Sequence, residues 1–400
     1  MSLYPIWPCL ALLAGLLLII RCDWPFGAVD AGVMHSGQRF FTIDGLRGLL
    51  AFGVFGHHAA LIPSYLDTGV WQTPPSMFYT MIGEVSVALF FSVTGFLFWG
   101  KLLDARDAPD WKRLYLGRFF RIAPVYLAVV AVMLLVVWSR TDYEVRDPFS
   151  FLLLDTGRWL ALGILGQPDV NGYPETNRLL AGVTWTLRYE WFYYFSLPLL
   201  ALFARRDWHL WFALAGLLAC CALHALYPQA PALYAGLFFC GMIPASLMHR
   251  DRRVLANSKF ALAAALVCLW LLFTQFSTAF GIVQLLLIGV FFGVLSVGNT
   301  FLKALEAKPV RRLGEISYSI YLTHGLVLMA VFSTDAIRNY ALASHTRYWL
   351  IIALCGLLVV AVATLSYLFI ERPGIRLGRR VAIRLERPCY ATEGRGSARV

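Results

Sequence analysis

The stretch that decides the fold is Asp44–Ala59, DGLRGLLAFGVFGHHA. Arg47 and the adjacent His57 and His58 are separated by an uninterrupted apolar and glycine-rich segment. At about 1.5 Å of rise per residue, the run 44–63 covers ~30 Å as a helix, the thickness of a bilayer's hydrocarbon core. An ionisable side chain at that depth costs about 2.5–3.5 kcal/mol even on a lenient insertion scale, so such residues face the protein interior and act there.

The rest of the chain has the same character. Of 400 residues, 59% are apolar and 14% charged, against about 25% charged in an ordinary soluble domain. Runs of spanning length recur at 44–63, 80–99, 120–138, 185–204, 208–226, 231–248, 260–275, 280–298, 315–333 and 348–370. They predict an all-α polytopic membrane protein, a bundle of about ten transmembrane helices. The apolar run Leu3–Ile20 could add an N-terminal helix, or be a leader or a misassigned start. No Lys or Arg precedes it, which counts against a secretory signal. The expected division is an N-terminal hydrophobic segment and linker (1–39), a membrane domain (40–376) and a basic cytoplasmic tail (377–400).

A formal charge of +11 raises the possibility of a nucleic-acid partner, but the distribution points to a membrane. With the run at Asp44 entering from the cytoplasm, 27 of the 34 Lys and Arg fall on the cytoplasmic side and 7 on the other, while the acidic residues divide 13 to 10. An asymmetry confined to Lys and Arg is the positive-inside signature. The basic tail then reads as an anchor near anionic lipid. The eight cysteines are scattered with neither metal-ligand spacing nor a disulfide framework, and no metal is expected.

Most connections are short. The exception, 139–184, is an outer segment in which FSFLLLDTGRWLALGILG is amphipathic and interrupted by Asp155 and Arg158, the pattern of an interfacial or buried helix. Such a segment is either a substrate lid or a structural cap.

Helical geometry sorts the ionisable groups. From Arg47 to His58 is eleven steps of about 100°, which returns to within ~20° of the same face, whereas His57 points about 80° away from Arg47. In the run from Trp185, Glu190 sits about 7–8 Å below the outer end, a depth that matches His58. An imidazole supported by a carboxylate is a good general base; the bland alternative is two core polar groups satisfied separately. Ser317, Tyr321 and His324, at i, i+4 and i+7, form one inward stripe that either lines a channel or hydrogen-bonds between helices. Arg118 and Arg121, one turn apart at the cytoplasmic base of the third run, could clamp a phosphorylated donor or merely anchor the helix. No Walker-type or dinucleotide glycine pattern accompanies them.

Six blocks in order resemble the acyltransferase 3 family of integral-membrane acyltransferases, from about Phe40 to Arg376. TIDGLRGLLAFGVFGHH is similar to its first-helix pattern with Arg47 and His58 eleven positions apart. SVALFFSVTGFLF resembles the second-helix block, and RLYLGRFFRIAPVY carries the Arg-x-x-Arg element at Arg118 and Arg121. TWTLRYEWFYYFSLPLL supplies Trp185 and Glu190; LGEISYSIYLTHG and FIERPGIRL supply Ser317, Tyr321, His324 and Glu371. Thr94 stands where the family commonly has Ser and Ala88 where it often has an acidic residue, departures that bear on acceptor choice.

The resemblance implies transfer of an acyl group, most simply acetyl, from cytoplasmic acyl-CoA to a hydroxyl of an envelope saccharide, glycolipid or small molecule at the cytoplasmic membrane. It implies that Arg118 and Arg121 receive the CoA phosphates and that Arg47 guides the thioester arm. His58, with Glu190, would activate the acceptor or carry the acyl group, and Trp185, Ser317, Tyr321 and His324 would line the substrate path. The competing class is a transporter in which the His/Glu pair relays protons.

Overall fold

The computed structural model describes residues 4–30, 41–105, 109–228, 231–250, 258–296 and 300–386. Among them the chain is helical, without a named strand. Each of the ten predicted runs is found in helix. The linker 31–39 and the tail beyond 386 lie outside the described residues.

The first spans are α3 (Phe41–Thr68), α4 (Met77–Ala105) and α5 (Trp111–Arg140). After the outer segment come α7 (Trp185–Ala204), α8 (His209–Leu226) and α9 (Ala232–Arg250). They are followed by α10 (Lys259–Gln275), α11 (Ile282–Ser296), α13 (Ser317–Phe332) and α15 (His345–Ser366). Six helices are long and apolar enough to cross a bilayer alone, or up to eight if two bent pairs each count as one. The expected count of about ten is therefore approximate. At about 1.5 Å per residue, α10 and α11 reach only ~26 and ~22 Å, while α7 carries Arg188 and Glu190 in its outer half.

Exposed faces are apolar, as lipid requires. On α8, Trp211, Leu218 and Leu226 are exposed, and so are Phe260 and Trp270 on α10 and Leu350, Leu354 and Leu365 on α15. The polar groups turn inward. Small residues let the inner helices touch: Gly95 on α4 meets the backbone of Phe238, and Gly241 on α9 meets that of Ser92. Beside this crossing Trp99 Nε1 donates to Ser246 Oγ at 2.8 Å. Close backbone approach through small residues is how helices associate where lipid tails offer no hydrophobic drive.

The N-terminal run forms α1 (Trp7–Arg21), which bends by 78° into α2 (Asp23–Asp30). The pair packs into the bundle through Cys9, Leu16, Ile20, Phe26 and Val29. It is held by Arg312 in the short helix α12 (Lys308–Glu315), a side chain 2% exposed. Its guanidinium donates to the carbonyls of Ile20 (2.8 Å) and Cys22 (2.8 Å), which end α1, and to the carboxylates of Asp23 (2.7 Å) and Asp30 (2.6 Å). One cation thus satisfies orphan carbonyls of a helix end and pairs two acids.

The outer segment forms a cap. Its amphipathic helix α6 (Phe149–Leu160) exposes Phe149, Phe151, Leu153 and Leu160 and buries only Trp159, as an interfacial helix should. Asn171, 1% exposed, staples the return: Nδ2 donates to Thr141 Oγ1 and to the Glu144 carbonyl, and Oδ1 accepts from the Arg146 amide, each at 2.8 Å. The cap ends in a 3₁₀ turn at Thr176–Leu180, whose backbone lies directly on Gly325 of α13. A Cβ there would collide with Leu180 and Ala181.

Candidate active site

Two features dominate the described interior, an arginine-rich cavity and a pair of buried histidines linked to it through Tyr321.

The cavity has a volume of about 280 Å³ and is lined by α3, α4, α5, α7 and α13. Of the residues singled out from sequence, Arg47, Arg118, Arg121, Glu190, Ser317 and Tyr321 all reach it. Trp185, His58 and His324 do not; Thr186, the neighbour of Trp185, does, and Trp185 packs in an aromatic cluster with Tyr189 and Tyr234, ring centroids 5.7 and 5.2 Å away. The helix start at Trp185 turns its ring toward α9 and aims Thr186 and Glu190, four residues apart, at the cavity.

Arg47 arrives by a glycine contact. Gly48 on α3 and Gly314 at the end of α12 let the two backbones meet, Gly314 against the carbonyl of Asp44, so that the first turn of α3 is pressed against the start of α13. Arg118 lies over the Phe98 ring, 4.6 Å from its centroid, a cation–π contact that holds the guanidinium against the cavity wall. Arg121 stands 4.0 Å from Glu371, a fully buried carboxylate whose other oxygen accepts from Ser319 Oγ at 2.9 Å. Glu371 closes a π-helical turn, Tyr367–Glu371, between α15 and α16 (Arg372–Glu386). Such turns are frequent at functional sites. Glu190 Oε2 accepts from Tyr194 OH at 2.7 Å.

His58 and His324 form the second feature. His324 Nδ1 lies 3.0 Å from the Ile320 carbonyl and its Nε2 is 3.2 Å from His58 Nδ1, which is itself 3.0 Å from the Val54 carbonyl. Assigned from this network, each carbonyl demands an N–H. His324 is then protonated at Nδ1 and accepts at Nε2, and His58 Nδ1–H is shared between Val54 and His324. That leaves Nε2 as the ring nitrogen of His58 engaged by neither Val54 nor His324. The Ala181 carbonyl of the cap also approaches this ring, an acceptor for an added proton. Trp71 stacks on it from the outer side, centroids 6.1 Å apart.

His58 and Glu190 share no hydrogen bond or ion pair among the described residues. Their depths match, but depth does not fix azimuth: α3 turns His58 toward α13, while α7 turns Glu190 toward the cavity and Tyr194. His57 donates from Nδ1 to the Tyr79 carbonyl at 2.8 Å, the structural role its face suggested. Tyr321 links the two features. It lines the cavity, its ring lies 6.3 Å from that of His324, and its hydroxyl donates to the Val183 carbonyl at 3.0 Å, beside Thr186 Oγ1 at 2.9 Å. Sequence reasoning missed the cap carbonyls of Ala181 and Val183, because nothing local in a loop says which helix it will cover.

A protein-family model described as an acyltransferase domain, that of the acyltransferase 3 family, matches residues 40–368. Nodulation protein 10 of Rhizobium leguminosarum bv. viciae is 24% identical over 370 residues, an alignment covering 86% of this chain and 95% of that protein. No solved structure gives a significant match.

Proposed function

This chain belongs to the acyltransferase 3 family and is a multi-pass membrane acyltransferase; from that premise we propose that it moves an acetyl group from cytoplasmic acetyl-CoA to a hydroxyl of an envelope saccharide or glycolipid, at the cytoplasmic membrane, with His58 as the working base. The observation that carries the reading is the buried His58–His324 pair, linked through Tyr321 to the arginine-lined cavity. With His58 Nδ1 engaged by the Val54 carbonyl and His324, Nε2 is the nitrogen assigned to the chemistry.

Four arginines line the cavity, Arg47, Arg118, Arg121 and Arg379, and suit the phosphates of a CoA-type donor, which guanidinium groups bind in two-pronged fashion. The thioester arm extends from them toward Thr186 and Tyr321. His58 Nε2 removes the acceptor's hydroxyl proton as oxygen attacks the thioester carbonyl, and CoA leaves as the thiolate, to be protonated by the imidazolium. In the two-step variant Nε2 attacks the thioester carbonyl and CoA leaves as the thiolate; the acceptor oxygen then takes the acyl group from Nε2, and its proton passes to the thiolate. His324 positions His58 in both; Glu190 balances the charge of the cavity. Trp71, stacked on His58 from outside, offers an aromatic face to an acceptor sugar. Purified protein given labelled acetyl-CoA and an envelope glycan fraction should transfer label to glycan. Proton-coupled flux of a solute without transfer from any short acyl-CoA would favour a transporter instead.

A further inference from the structure

The predicted span at 315–333 is not one helix. α12 and α13 meet at Ile316 with a 68° bend, so that a fresh helix begins at Ser317 within the bundle. A helix start carries N–H groups without an i−4 carbonyl and the positive end of the dipole. No side chain caps this one. The Ser317 hydroxyl is 1% exposed, has no hydrogen-bond partner and lines the arginine-rich cavity, as does Tyr318. An unbonded buried hydroxyl is costly unless a ligand or water completes it. Arg47, Arg118, Arg121 and Arg379 border the same space, with Asp44 and Glu315 alongside.

We propose that the broken α12–α13 junction is an anion-binding cradle for the diphosphate of the donor, in which the Ser317 hydroxyl and the opening amides of α13 bind oxygens that the arginines neutralise. Half-helix N-termini serve anions in the same way inside other membrane proteins. The proposal deepens the reading above and rests on it for the identity of the anion, a phosphoanhydride. The break has a reason in the packing: Gly314 is pinned to the Asp44 carbonyl by contact with α3, which fixes the end of α12 and lets α13 start on a new axis beside Arg47.

The test is binding by the full-length protein in detergent, comparing CoA, pantetheine (which lacks the diphosphate) and inorganic diphosphate, in wild type, Ser317→Ala and Ser317→Asp. An acidic residue at a helix start favours the fold while repelling an anion, so Ser317→Asp separates binding from folding. The expected result is a loss of CoA and diphosphate affinity of about tenfold or more for Ser317→Asp and a smaller loss for Ser317→Ala, with pantetheine unaffected. Wild type that binds diphosphate, in a manner sensitive to Ser317→Asp, but does not bind CoA would sustain the cradle and reject the donor. Three results would overturn the cradle: CoA affinity unchanged in Ser317→Asp, equal losses for CoA and pantetheine, or no diphosphate binding by wild type.

Discussion

His57 and His58 are neighbours in sequence with different fates, and the difference was legible from helical geometry alone. Eleven residues separate His58 from Arg47 on one face, and the structure sends His57 to the Tyr79 carbonyl and His58 to His324. The identity of the partner was not legible, since an α-helical wheel gives relative faces on one helix and says nothing of which neighbour stands opposite. His58→Ala should lower acyl transfer by about 10²–10⁴-fold, the usual worth of a general base, while His57→Ala leaves it within a few-fold. Initial rates on protein matched for thermal stability would check both. His324→Gln removes the ring that accepts from His58 Nδ1–H. It should depress kcat and leave CoA affinity in place, and a drop in donor binding instead would reject a positioning role.

At the scale of elements, close backbone contacts arrange the site. Gly48 on α3 and Gly314 on α12 have no room for a side chain, so Gly48→Val should destabilise the protein by about 1–3 kcal/mol, as overpacking does. The same change should weaken donor binding, because Arg47 rides on that contact; a lowered melting temperature with full CoA affinity would show that the crossing serves stability only. The break at Ile316 could not be read from LGEISYSIYLTHG, which has no proline and an unbroken apolar period; it arises from a tertiary contact. Arg312 holds a different joint. Arg312→Ala strands the carbonyls at the end of α1 and leaves Asp23 and Asp30 to Lys308 alone. Hydrogen exchange over residues 7–21 should rise while that of α4 and α9 stays as it was.

Across the whole molecule, composition sufficed for an all-helical membrane bundle, and the Lys/Arg asymmetry makes the orientation a testable expectation. Helix count was blurred by the chemistry of the site: α7 is polar where Glu190 and Arg188 sit, and α12–α13 is split where Ser317 meets the arginines. That orientation would put the arginine cavity toward the cytoplasm and the cap of residues 141–184 outside. In intact cells a membrane-impermeant thiol reagent should therefore label a cysteine introduced at Glu175 in a background stripped of native cysteines, and should not label one at Arg206 until the membrane is opened. The claim on which the account turns is that an acyl group passes from a cytoplasmic thioester to an outer hydroxyl through His58. Transfer from labelled acetyl-CoA to an envelope glycan by purified wild type, His57→Ala and His58→Ala tests it most directly. The account predicts transfer by the first two and essentially none by the third, with CoA binding retained in all three. Transfer by His58→Ala at the wild-type rate would contradict it.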